Sequence, residues 1–139
     1  MTDTDARRLG VPDIRGTLLE RMGIEITEYD AQRTSGRMPV EGNTQPYGLL
    51  HGGASAVLAE SLGSIASAVH AGPDRIAVGV DLNITHHRAV RSGHVTGVAT
   101  PLSLGRSVAA YEIVVTDDAG QRVATARLTC QLRDRPPGS

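Results

Sequence analysis

The stretch Gln-Pro-Tyr-Gly-Leu-Leu-His-Gly-Gly-Ala-Ser-Ala-Val-Leu-Ala-Glu-Ser-Leu-Gly-Ser, residues 45–64, holds the side chains best suited to chemistry. A polar, turn-rich approach containing His51, Gly52 and Gly53 runs into a helical segment with a single carboxylate, Glu60. Its neighbours Ala56, Val57, Ala59 and Gly63 predict burial, where most helix glutamates are exposed. Burial disfavours the charged form, so the carboxyl is expected to titrate higher, as suits a base near neutral pH. Gly52 and Gly53 permit a tight loop-to-helix turn. The free amides of a helix start, aided by the helix dipole, also suit a developing oxyanion. A withheld acid together with such amides points to acyl chemistry.

Other residues carry less by themselves. Ser64, four residues after Glu60, shares its helix face but is equally a small packing residue. Taken alone, His51 reads as a capping or loop histidine and Gln45 as a loop amide. His86 shares the apolar face of its strand with Leu82 and Ile84, as a core histidine or a pocket wall. No HExxH or Cys/His spacing supports a metal site from His51, Glu60 and His86, so no metal or cofactor is expected. No Gly-x-Ser-x-Gly elbow supports a serine hydrolase. Arg88, Arg91 and Arg106 are surface charges or, beside a Gly-rich turn, phosphate ligands.

The elements that must position these groups are legible in the pattern. Asp13 is expected to cap a short helix through Met22, stopped by Gly23. Ile24 to Asp30 alternates as a half-buried strand, with Arg33 to Val40 as its hairpin partner. A long helix is predicted from near Gly52 to the stop at Gly72-Pro73, with Ala54, Leu58, Leu62, Ile65 and Val69 as its apolar stripe. Being apolar over most of its circumference, it should be central and wrapped. Strands follow: Ile76 to His87, with Val78, Val80, Leu82, Ile84 and His86 on one face; His94 to Leu102; and Arg106 to Thr116. The turn Asp117-Asp118-Ala119-Gly120 leads to a last strand with Ala124, Ala126, Leu128, Cys130 and Leu132 inward. The result is an α+β domain, an antiparallel sheet of five to six strands wrapped around one long central helix. Residues 1–12 and 134–139 are expected to be flexible, leaving 13–133 as the domain. Its remaining face and edges favour a homo-oligomer.

At 139 residues the chain suits one domain. All 14 basic residues are arginine, which removes a Schiff-base lysine and a P-loop lysine together. A net charge of −1 offers no basic field for nucleic acid. One cysteine, Cys130, excludes an internal disulfide. No apolar run is seen to approach the roughly 20 residues of a membrane span, and the N-terminus lacks a signal-peptide core. A cytoplasmic protein is the expectation. With no Phe or Trp and three Tyr, the core must be aliphatic.

Gln45 to Gly53 followed by Leu58-Ala59-Glu60-Ser61-Leu62-Gly63-Ser64 resembles the signature of hotdog-fold acyl-CoA thioesterases. The similarity is greatest to the branch of 4-hydroxybenzoyl-CoA and 1,4-dihydroxy-2-naphthoyl-CoA thioesterases with its PaaI-like relatives. It continues through Asn83 to Arg88, Pro101 to Arg106 and Thr116 to Gly120, covering about residues 14–133. The resemblance implies hydrolysis of an acyl-CoA, aromatic or medium-chain, with Glu60 as nucleophile or general base. It implies the thioester carbonyl at Gly52, with Gln45 and His51 nearby, Ser64 placing water, and His86 bordering the acyl pocket. Tyr47 joins the substrate-binding set. Coenzyme A would lie along Arg88, Ser103, Gly105, Arg106 and Ser107. The site would be shared across a dimer interface, Glu60 facing the partner's Gln45–Gly52 loop, in a dimer or a tetramer built of two dimers. Ser103 departs from a pattern that can carry His, and the missing Phe and Trp thin the expected aromatic lining. Alternatives are a hotdog acyl-CoA hydratase or dehydratase, whose Asp/His pattern is missing, and a non-catalytic acyl-CoA-binding protein.

Overall fold

Glycine and proline punctuation sets the central element. Helix α2 spans Gly52–Ala71 and ends where Gly72 takes a φ of 89°, a left-handed conformation that only glycine adopts cheaply. The structure is a computed structural model that describes residues 13–138. The expected flexible segment 1–12 lies outside the described residues.

Ahead of α2 come α1 (Leu18–Arg21), β1 (Glu25–Glu28) and β2 (Thr34–Pro39); after it come β3 (Arg75–His86), β4 (His94–Leu104), β5 (Val108–Asp117) and β6 (Arg122–Asp134). All strands pair antiparallel in one six-stranded sheet of order β1-β2-β4-β5-β6-β3, and α2 lies across one face of it. Leu58, Ala59, Leu62 and Ala66 of α2 meet Ile113, Val115, Leu128 and Cys130 of the sheet in one buried cluster. Close approach needs small residues. Gly36 and Gly97 are cross-strand partners, and a Cβ on either would fall within 3.0 Å of a Leu62 methyl. Tyr111 is fully buried and donates its hydroxyl to the carbonyls of Ala31 and Ala66.

Three expectations are corrected. Asp13 does not cap α1: its carboxylate accepts from the Arg15 amide, and Gly16, with φ 73°, turns the chain so that the helix begins only after Thr17. Along β3 the face assignment is half wrong. Gly79 pairs with Cys130 but Asp81 with Thr129, so a bulge at Val80 shifts the alternation by one. Ala77, Gly79, Leu82, Ile84 and His86 therefore share the helix side of the sheet, while Val78 and Val80 are exposed. By length and composition α2 is long and apolar enough to cross a membrane, contrary to the expectation that no run approaches that length. Here that apolar character packs against the sheet.

At the C-terminal end β6 runs through Asp134, and Arg135 bonds back to the carbonyls of Asp74 and Pro73 beyond α2.

Candidate active site

The N-terminus of α2 is built by a braced loop. Asn43 donates its side-chain amide to the carbonyls of Met22 and Pro39, and its own carbonyl accepts from His51 N–H at 2.9 Å. Gly48, with φ 82°, makes the turn that returns Leu49 O to Gln45 N–H at 2.8 Å. His51 caps the helix: Nδ1 accepts from Gly53 N–H at 2.8 Å. A neutral imidazole that accepts at Nδ1 carries its N–H on Nε2. Gln45 Oε1 accepts from Tyr47 N–H, which leaves the Gln45 side-chain NH2 free to donate.

These residues frame a cleft of about 430 Å³ lined by Gln45, Gly52, Ser55, His86, Arg88 and Val123 among others. The Gly52 N–H meets no acceptor among the described residues. A Cβ on Gly52 would lie 3.0 Å from His86 Nε2, so only glycine lets the imidazole close over the helix start. The β3 bulge is what brings His86 to this side.

Glu60 lies elsewhere. It is eight residues along α2 from Gly52, roughly 12 Å at the helical rise. It lines a separate groove of about 320 Å³ with Leu18, Leu19, Ala56, Val57, Ser61 and Leu82. The expected burial of Glu60 is not met in the single chain, where the residue is exposed and carries no hydrogen bond or ion pair among the described residues. The reason is geometric: α2 is wrapped on its sheet side, and Ala56, Val57 and Glu60 lie on the side left uncovered. The carboxylate rests over edge strand β3, its Cδ 3.7 Å from where a Cβ on Gly79 would be.

Beneath Glu60 is a small polar cluster that sequence reasoning missed. Burial pushes the Cys130 thiol up from its ordinary value, and the Glu60 carboxylate adds to the rise, while the Ser67 and Ser64 hydroxyls beside it act the other way. Ser67 is fully buried and its hydroxyl has no hydrogen-bond partner among the described residues. Half-buried Ser64 thus joins Glu60 to this cluster, on the same face as the i, i+4 spacing predicts.

The remaining expected substrate residues disperse. Tyr47 is 84% exposed and lines neither cleft. Ser103, Gly105, Arg106 and Ser107 form the exposed β4–β5 hairpin, tied to the far end of α2 where His70 Nε2 bonds Gly105 O at 2.8 Å. That end is roughly 27 Å from Gly52 along the axis. Arg88 and Arg106 are therefore at opposite ends of one chain.

A single long helix lying on a six-stranded antiparallel sheet is the hotdog architecture, here with an amide cleft at the helix start and a carboxylate two turns on. The Thioesterase superfamily profile matches residues 47–124, and the chain belongs to that family. It is 48% identical over 115 residues to the proofreading thioesterase EntH of Cronobacter turicensis, covering 82% of this chain and 84% of that one. Among solved structures, a thioesterase from Haemophilus influenzae superposes with a TM-score of 0.86 at 33% identity, covering 96% of this chain and 92% of that one. A glutamine-to-alanine variant of a Pseudomonas aeruginosa thioesterase gives 0.84 at 37%, covering 89% and 96%.

Proposed function

We propose that the protein hydrolyses an acyl-CoA thioester, with an aromatic or medium-chain acyl group, to the free acid and coenzyme A in the cytoplasm. Glu60 supplies the carboxylate, as nucleophile or as base toward water, and Ser64 helps place the water. The Gly52 amide, with Gln45 and His51 nearby, polarises the thioester carbonyl, and His86 borders the acyl group. Thioester carbonyls are poorly resonance-stabilised, so carboxylate, water and oxyanion donors suffice without a metal or cofactor.

The observation that carries this reading is the separation of two incomplete halves. An unpaired amide sits in one cleft and an unpaired carboxylate in another, roughly 12 Å apart, too far to act on one carbonyl. Both halves border β3, a sheet edge whose Val78 and Val80 are exposed. A second copy set against that edge by a two-fold axis would bring Glu60 of one chain to the Gln45–Gly52 loop of the other. The same pairing covers the open side of α2 and withdraws Glu60 from water. It also lets Arg88 of one chain and the Ser103–Ser107 hairpin of another share one coenzyme A. A dimer, or a tetramer of two dimers, is the proposed working form.

The test is thiol release from a panel of benzoyl-, phenylacetyl-, naphthoyl- and fatty acyl-CoAs. Glu60→Gln should lower turnover by about 10²- to 10⁴-fold, the range for losing an acid–base group, with acyl-CoA binding retained. Near-normal turnover would remove Glu60 from the reaction. Double-bond formation or hydration on enoyl-CoAs without thiol release would instead mark a hydratase.

A further inference from the structure

Ser55 is buried, 1% exposed, yet it lines the cleft that holds Gly52 and His86. No hydrogen bond joins its hydroxyl to a described residue, and unlike the enclosed Ser67 hydroxyl it reaches the surface of the cleft. A hydroxyl with no partner in the protein, on a side chain otherwise held inside the fold, is left to bond whatever occupies the cleft, water or ligand. Helix neighbours such as Leu58 and Leu62 meet the sheet, but Ser55 meets the cleft.

Direction follows from helix geometry. Residues three apart lie on one face, and every Cα–Cβ bond tilts toward the helix N-terminus. Ser55 is three residues after Gly52, so its hydroxyl leans over the turn that presents the Gly52 N–H. On the opposite wall the His86 ring stands 3.0 Å from the Cβ position of Gly52. Two donors, one backbone and one side chain, thus converge on the same space.

We propose that Ser55 is a catalytic residue, the second hydrogen-bond donor to the thioester oxygen; this rests on the reading of the Gly52 cleft as the carbonyl site. When the nucleophile adds to the carbonyl carbon, the C=O π electrons move to oxygen as an oxyanion. Gly52 N–H and Ser55 O–H both donate to that oxygen and no proton is transferred. Collapse restores the C=O bond and expels coenzyme A as the thiolate, which is then protonated by solvent. Because the charge is greatest in the tetrahedral state, the Ser55 bond strengthens there and acts on turnover more than on binding.

The experiment compares kcat and KM of wild type, Ser55→Ala, Ser55→Thr and Ser55→Cys, using thiol release from the best acyl-CoA of the panel, with thermal melts of each protein. Ser55→Ala should lower kcat on the order of 10²-fold, the lower end for one oxyanion donor, with KM within about twofold of wild type. Ser55→Thr keeps a hydroxyl and should retain most turnover; Ser55→Cys, a weak donor of similar size, should fall between. Unchanged kcat in Ser55→Ala, or a loss confined to KM, overturns the assignment. Should Ser55→Ala fail to fold, the Thr and Cys variants decide: equal turnover in both overturns it. A wild type inactive on every thioester refutes the functional reading itself, whereas an active wild type with an unaffected Ser55→Ala refutes only the role of Ser55.

Discussion

Tyr111 is a side chain whose titration burial moves upward. Removal from water, reinforced by Asp30 and then Cys130, raises its pKa from 10.0 to about 12. Between those values the unfolded chain sheds the phenol proton while the folded chain keeps it, so proton release favours unfolding. The stability Tyr111 confers is complete below pH 10 and disappears as pH rises through 12, an amount on the order of 2 kcal/mol. Denaturant melts from pH 8 to 12 should show this falling limb. Tyr111→Phe should flatten most of it, leaving the smaller part due to Tyr29, whose pKa burial also raises. The variant should also lose about 1 kcal/mol at neutral pH with the bonds to Ala31 and Ala66. A limb as steep in Tyr111→Phe as in wild type would rule out this origin.

At the level of elements, the helix–sheet contact is set by side chains of matched size. Leu62, fully buried, rests on the glycine pair Gly36 and Gly97. Leu62→Ala removes three heavy atoms where neither glycine can close the gap, and should cost about 3 to 5 kcal/mol, read from urea unfolding midpoints. Gly63 is the opposite case. A Cβ there would come within 2.6 Å of a Leu128 methyl and 3.2 Å of Leu128 Cβ, which the sheet holds in place. Alanine gains about 1 kcal/mol of helix propensity, but overpacking costs about 1 to 3 kcal/mol, so Gly63→Ala should be destabilising. A rise in Tm for this variant would show that α2 can shift away from β6.

For the whole molecule, the consequence of two half-sites is complementation. Glu60→Gln lacks the carboxylate, and Gly52→Val sets a side chain where the His86 ring lies. Each alone should be inactive. Unfolded together and refolded as a mixture, half of the dimers pair one chain of each kind, and one of the two sites in each such dimer has both intact halves. About a quarter of wild-type activity should return. No recovery, with mixed dimers demonstrated by mass, would mean that one chain supplies both halves. Val80→Arg should weaken the pairing through charge repulsion at the β3 edge, giving smaller particles by light scattering and a parallel loss of turnover.

Local chemistry alone determined much of this protein. Gly72-Pro73 ends α2 wherever it packs, Asp117 to Gly120 turns the β5–β6 hairpin, and the alternation from Ala124 to Leu132 gives the inward face of β6 without reference to any neighbour. The motif around Gly52 and Glu60 was equally legible, because residue types at fixed helical spacing survive in the sequence. Tertiary structure decided the rest. The bulge at Val80 is a mismatch of register between β3 and β6, a property of two strands that neither sequence segment displays, and it reversed the faces of Val78 and Val80. Asn43 and Ser55 gained their roles from partners, or from the lack of one, set by folding. The exposure of Glu60 followed from which side of α2 the sheet covers, since an apolar neighbourhood in sequence becomes burial only when something packs against it.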